Sequence, residues 1–237
     1  MELKKAFIIL VDISGYTRFI KHHKVSLIHA ESIISDLLEV VIESAQYPMV
    51  LNKLQGDAAL FYAISDNTAL MGQDILKQIQ KFFEVFRKKA SYMLSECDRC
   101  RCDACHGLDQ LKLKAILHHG DIVLKKIQQF EEIAGEDVII AHRLLKNSVP
   151  KKEYVLVSQS AYELSGNLDN RVPEKRVEKY DVGAVPVNIW YFEKELEQIR
   201  LSYWIRFKKH WELTIYFFKR WFKIYTPQAA YNSLKGL

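Results

Sequence analysis

Two aspartates stand where a chain can hold a carboxylate rigidly and still show it to solvent. Asp12 closes the apolar run Phe7-Ile8-Ile9-Leu10-Val11 and leads into Ile13-Ser14-Gly15-Tyr16-Thr17. This is a strand-length segment that empties into a glycine turn. Asp57 ends Asn52-Lys53-Leu54-Gln55-Gly56-Asp57, which breaks two apolar runs before Ala58-Ala59-Leu60-Phe61-Tyr62, as a hairpin turn does. Taken alone, each aspartate is an ordinary turn former. Two such carboxylates meeting in space are what Mg²⁺ or Mn²⁺ bound to a triphosphate requires, because these hard ions choose oxygen ligands.

A second chemical cluster lies mid-chain. Cys97, Cys100, Cys102, Cys105 and His106 put four thiols and an imidazole within ten residues. Cys-x-x-Cys pairs chelate Zn²⁺ well, and four thiolates complete a tetrahedron. Only one residue separates the two pairs, which strains a four-cysteine wrap. Three cysteines with His106, a site completed by a second protomer, a Cys-x-x-Cys disulfide favoured by Arg99 and Arg101, and a reduced loop all remain open. Because all four cysteines fall in this one loop, they cannot staple distant parts of the fold, which fits a reducing, cytoplasmic compartment.

The elements that must position these groups alternate. A strand is predicted over Ala6–Asp12, a helix over Leu27–Gln46, a hairpin over Met49–Ile64 and a helix over Thr68–Ser95. After the cysteine loop, Leu111–Gly120 alternates like a half-buried strand, and Gly135–Asn147 reads as a helix entered from a glycine turn. Tyr154–Ser158 is a strand, Gln159–Leu164 a short helix, and Glu174–Phe192 a strand pair around Gly183. Without any internal repeat, this order predicts one α/β domain over residues 1–195. An apolar fraction of 49% in 237 residues is ample for its core. No apolar run approaches the ~18 residues of a membrane span, and the N-terminus lacks the small-residue cleavage site of a signal peptide.

Residues 196–237 differ in character. Trp204, Phe207, Trp211, Phe218, Trp221 and Phe222 mix with Arg200, Arg206, Lys208, Lys209, Lys219 and Arg220, and Leu201, Trp204, Ile205, Trp211, Ile215, Phe218 and Phe222 fall roughly on one helical side. An interfacial helix on an anionic membrane has this make-up; so does a helix packed on the domain or on a dimer mate. No nucleic-acid recognition module accompanies it.

Four segments in order resemble the class III nucleotidyl cyclase catalytic domain, over nearly all of residues 1–195. They are Val11-Asp12-Ile13-Ser14-Gly15-Tyr16-Thr17-Arg18-Phe19, Lys53-Leu54-Gln55-Gly56-Asp57, Ile116-Leu117-His118-His119-Gly120, and Glu132-Ile133-Ala134-Gly135-Glu136-Asp137-Val138-Ile139-Ile140-Ala141-His142-Arg143. The cysteine loop looks more like a separate, uncharacterised branch of that superfamily. The resemblance implies an α+β, ferredoxin-like domain with an antiparallel-rich sheet flanked by helices.

The resemblance also implies roles. Asp12 and Asp57 match the aspartates that hold a pair of Mg²⁺ or Mn²⁺ ions. The backbone amides of Ile13, Ser14, Gly15 and Tyr16 sit where the family cradles the β- and γ-phosphates. Lys53 and Glu132 match the purine-reading pair, favouring ATP. Arg143 matches the arginine that stabilises the pentavalent phosphorus. The family works as a homodimer whose composite site draws metal aspartates from one protomer and the other residues from its mate. Ile139 departs from the pattern, replacing an asparagine that positions the ribose. Losing one such donor costs roughly 10²–10³ in rate, so two expectations stand: a slower cyclase, or a nucleotide-binding module without turnover. His118, His119 and His142 read as core-edge or helix-face residues rather than ligands.

Overall fold

The computed structural model describes residues 1–22, 27–64, 68–97, 107–169 and 171–192. The readings made for Cys100, Cys102, Cys105, His106 and the basic aromatic tail lie outside the described residues, as does the Cys97 side chain.

The apolar run before Asp12 becomes the central strand β1 (Glu2–Ser14). Ala6 to Val11 are all fully buried because both faces of the strand are covered, which is why the run is continuous rather than alternating. Around it lie β2 (Val50–Gln55), β3 (Ala58–Ile64), β4 (Lys112–Ile127), β5 (Phe130–Ala134), β6 (Tyr154–Ser158), β7 (Glu174–Tyr180) and β8 (Gly183–Tyr191). They form an eight-stranded sheet in the order β2-β3-β1-β4-β6-β8-β7, with β5 paired to the far end of β4. Every pairing is antiparallel except β4 with β6.

Alternate residues of β1 serve two cores. Phe7, Ile9, Val11 and Ile13 meet α1 (Tyr16–His22), α2 (Leu27–Ser44), α3 (Thr68–Cys97) and α5 (Gln159–Ser165) through Phe19, Ile33, Leu37, Phe82, Phe83 and Ala161. Ala6, Ile8 and Leu10 face the other way, toward Val138, Ala141 and Leu144 of α4 (Glu136–Leu145) and Ile133 of β5. The expected α+β architecture with an antiparallel-rich, helix-flanked sheet is the observed one.

The differences from expectation are local. β1 is longer than Ala6–Asp12 because Glu2–Lys5 pair with the outer half of β4. β4 runs on to Ile127 through the polar Lys125 and Lys126, and folds back into β5. That pair has too little apolar alternation to mark it as a strand. The short helix α1 was likewise hidden by its length.

Candidate functional site

One register row crosses the sheet at the end of β1. Gln55, Ala58, Asp12, Lys114, Tyr154 and Tyr191 are successive Cα partners on β2, β3, β1, β4, β6 and β8. Asp12 therefore lies on the same face as Ala6, Ile8 and Leu10, the face that α4 covers. The Lys114 ammonium, 2.9 Å from its carboxylate, also donates to the Leu145 carbonyl at 3.3 Å. A cation at the last carbonyls of α4 complements the negative end of that helix. Both side chains of the pair are mostly buried, 13% exposed for Asp12 and 19% for Lys114.

Asp57 is brought to Asp12 by the backbone. Its carbonyl accepts from the Ile13 amide at 3.1 Å, tying the β2–β3 turn to the end of β1; Gly56 supplies the left-handed φ of 63°. Burial, and next the negative charge of Asp12, push the Asp57 carboxyl up to about 6, while Lys114 pulls it down. The two aspartates singled out in the sequence thus sense each other. Because the Ile13 amide is engaged with Asp57, any phosphate cradle here draws on the amides that follow it in the turn. Gly15 is required in that turn: its φ is 96°, and a Cβ would stand 2.9 Å from the Gln110 carbonyl oxygen.

Two residues of this neighbourhood were missed in the sequence. Lys114 sits in an alternating strand and reads as an outward lysine; Glu31 sits on a helix with no motif around it. The Tyr16 hydroxyl donates to the Glu31 carboxylate at 2.9 Å.

A second group forms where β2, β5 and α4 meet. β2 carries an irregularity between Leu51 and Lys53, and such a bulge re-aims the neighbouring side chains. The Asn52 amide donates to the Glu131 carbonyl at 3.2 Å, and the Lys53 ammonium lies 3.7 Å from Glu132, which Lys125 approaches to 3.4 Å. Lys53 and Glu132, which the resemblance matches as a pair, are therefore neighbours in space. His142, also absent from the expected set, lies near Lys53: burial first, then the charge of Lys53, lower its pKa.

Helix α4 supplies the remaining positions. Its start is fixed by Asp137, which pairs with His118 Nε2 at 2.9 Å and accepts from the Asp121 amide at 2.6 Å. The His118 Nδ1 meets the Ser158 hydroxyl at 2.8 Å, so this histidine is a buried structural residue. The His119 ring packs tilted against Phe7, with centroids 4.8 Å apart. Ile139 is half-exposed on α4, one turn before Arg143. The Arg143 guanidinium pairs with Asp181 of the β7–β8 turn at 2.7 Å. No hydrogen bond or ion pair among the described residues joins Asp12 or Asp57 to Lys53, Glu132 or Arg143. Nor is any group of three or more His, Cys, Asp or Glu among the described residues arranged to hold a metal on its own.

The fold matches that of nucleotide cyclase catalytic domains. The adenylyl cyclase CyaB from P. aeruginosa superposes with a TM-score of 0.57 at 11% identity, over 83% of this chain and 98% of that one. The guanylyl cyclase Cya2 gives 0.55 at 14% identity, over 85% and 98%. A dimeric guanylyl cyclase domain of the RhoGC fusion protein from the aquatic fungus Blastocladiella emersonii gives 0.54 at 13% identity, over 80% and 97%. At these identities the likeness is one of fold.

In sequence, the family model described as "Protein of unknown function (DUF2652)" matches residues 34–154, a little over half of the chain, and the chain belongs to that family. It is also 37% identical over 125 residues to "Uncharacterized protein Rv2561/Rv2562" of Mycobacterium tuberculosis (strain ATCC 25618 / H37Rv). That match spans 53% of this chain and 57% of the relative's length.

Proposed function

We propose that this domain binds a purine nucleoside triphosphate, ATP ahead of GTP, with Mg²⁺ or Mn²⁺, and converts it to a 3′,5′-cyclic nucleotide and pyrophosphate. The reading rests on the convergence of the Asp12 and Asp57 carboxylates beside Lys114 at the mouth of the central strand. Two carboxylates without a third protein ligand suit an ion that keeps water and phosphate oxygens as its other ligands. Asp12 and Asp57 would hold it, and when bound it would neutralise phosphate charge and favour ionisation of the ribose hydroxyl. Lys114, the counter-charge of Asp12 in the metal-free protein, would then be available to a phosphate oxygen. Lys53 and Glu132 present a cation and an acid at one place, suited to a ring acceptor and an exocyclic amine. Arg143 would leave Asp181 for the reacting phosphate; an exposed ion pair costs little to open.

A composite site in a homodimer accords with the absence, among the described residues, of a hydrogen bond or ion pair between the two residue groups. Exposed apolar side chains flank the second group: Leu54 beside Lys53, Phe130 on β5 and Ile139 on α4. Two further elements of the proposal rest on sequence alone: Zn²⁺ at the cysteine cluster, and contact of the tail with anionic membrane. Metal analysis of freshly reduced protein and vesicle co-sedimentation with and without residues 198–237 test them.

A second reading is favoured by Ile139. A half-exposed isoleucine one turn from Arg143 offers the ribose no hydrogen bond, which suits a module that binds nucleotide and signals without turnover. Incubation with ATP, GTP, CTP and UTP plus Mn²⁺, followed by mass detection, decides between the two. A cyclic product that disappears in Asp57→Ala supports the enzyme. Nucleotide binding without any cyclic product supports the module.

A further inference from the structure

Glu31 sits in the second turn of α2 and is half-buried, next to the buried Ala30. A glutamate there would ordinarily turn to solvent or to a base. Among the described residues no lysine or arginine pairs with it; its partner is the Tyr16 hydroxyl at 2.9 Å. That bond spans fifteen residues and joins α2 to the residue following Gly15. It is the third tie on one short turn, after the Ile13 amide to the Asp57 carbonyl and the close approach of Gly15 to the Gln110 backbone. Glu31 and Asp57 are thus tied to the same turn, one through the Tyr16 hydroxyl and the other through the Ile13 amide. Glu31 raises the Tyr16 hydroxyl, chiefly through the hydrogen bond, and it adds to the negative field at Asp57.

We infer that Glu31 is a positioning residue for the nucleotide and metal pocket, with two separable roles: its carboxyl oxygen anchors Tyr16 and with it the phosphate turn, and its charge strengthens the pocket's attraction for a divalent cation. This rests on the reading of Asp12 and Asp57 as metal-binding. The separation follows from geometry. Tyr16 stands between Glu31 and the turn, so the hydrogen bond acts on the backbone that would face phosphate. The charge acts through space across the turn that Glu31 shares with Asp57 and needs no contact with the ion. Neither role requires Glu31 to touch ligand.

The two roles respond to different substitutions. Glu31→Gln keeps an oxygen acceptor for Tyr16 and removes the charge. Tyr16→Phe keeps the charge and the ring's packing and removes the bond. Full-length wild type and both variants are titrated with Mn²⁺ alone, followed by the paramagnetic resonance of free Mn²⁺, and separately with inorganic triphosphate in metal-free buffer by calorimetry. Thermal melting checks the fold of each. Glu31→Gln should weaken Mn²⁺ roughly three- to ten-fold, the scale of one charge at partly solvated range, and leave triphosphate affinity unchanged or slightly higher. Tyr16→Phe should weaken triphosphate several-fold and leave Mn²⁺ within two-fold. The inference is overturned if each variant changes both ligands equally in step with its melting temperature, or if neither ligand responds. Wild type that binds neither Mn²⁺ nor triphosphate overturns the underlying reading and this one with it. Wild type that binds both while the variants match it overturns this one only.

Discussion

The Lys114 ammonium and the Asp12 carboxylate, direct neighbours on β4 and β1, form an ion pair of 2.9 Å that is largely shielded from water. The carboxylate expected to bind a cation therefore already has one. Removing either partner leaves an uncompensated charge in a poorly hydrated place, which is costly. Asp12→Asn should lower stability by about 1–3 kcal/mol and abolish any stabilisation by Mn²⁺. Lys114→Met should also lower the stability of the metal-free protein, since two carboxylates then face each other. Its melting temperature should rise more on adding Mn²⁺ than that of wild type, because the ion now supplies the missing charge. Equal Mn²⁺ shifts in the two proteins would separate Lys114 from the metal pocket.

Asp57 behaves in the opposite sense. Its folded pKa, about 6, is above the ordinary 3.8, so folding favours its protonated form. The stability associated with that proton is present at low pH and is lost as pH rises from about 4 to about 6. The group is only half-buried, so solvent screening reduces the effect to the order of 1 kcal/mol. Asp57→Asn should therefore stabilise the metal-free protein at pH 7.5 by a few degrees and make little difference at pH 4. Paired melting curves across that range test it. A neutral-pH gain in stability with a loss of metal binding is the expected mark of a functional carboxylate held at a cost.

The seating of α4 depends on a glycine. A Cβ on Gly120 would lie 2.0 Å from the carboxyl carbon of Asp137, the residue that holds His118 and the Asp121 amide. Gly120→Ala must displace that carboxylate and break the network at the start of the helix. A loss of about 1–3 kcal/mol is expected, from strained packing together with the lost partner of the buried His118. Chemical denaturation measures it directly. Gly56→Ala is the control: a Cβ there meets nothing within 4 Å, so only the left-handed backbone opposes it.

How far the sequence carried this picture depends on the range of each signal. The approach of Asp57 to Asp12 was legible because one aspartate closes an apolar run and the other opens one, each at a turn, and such punctuation is local. The fold was legible from four ordered motifs. β5 was not, since Phe130–Ala134 is stabilised by pairing with the outer part of β4 rather than by burying an alternating face. Lys114 and Glu31 escaped for a related reason. A lysine in a strand and a glutamate in a helix look like solvent-facing residues until the register places one beside Asp12 and a long-range contact places the other beneath Tyr16. Such pairings are properties of the sheet and of helix packing, and no spacing along the chain encodes them.

Ile139 offers the sharpest test of whether this domain turns substrate over. It is half-exposed on α4, so changing it disturbs little packing, and asparagine at an exposed helical position costs only about 0.5 kcal/mol relative to a better helix former. Ile139→Asn restores a side chain that can both donate and accept beside Arg143. If the protein is a cyclase slowed by the missing donor, cyclic product formation with ATP and Mn²⁺ should rise by about 10²-fold, the usual worth of one such group, with kcat changing more than KM. Introducing Arg143→Ala into the same variant should cancel the gain, because the positioned hydroxyl then attacks a phosphate that has lost its guanidinium. An Ile139→Asn protein that folds, binds ATP and still yields no cyclic nucleotide would assign the domain to binding and signalling. The isoleucine would then belong to a site that has no need to place the ribose.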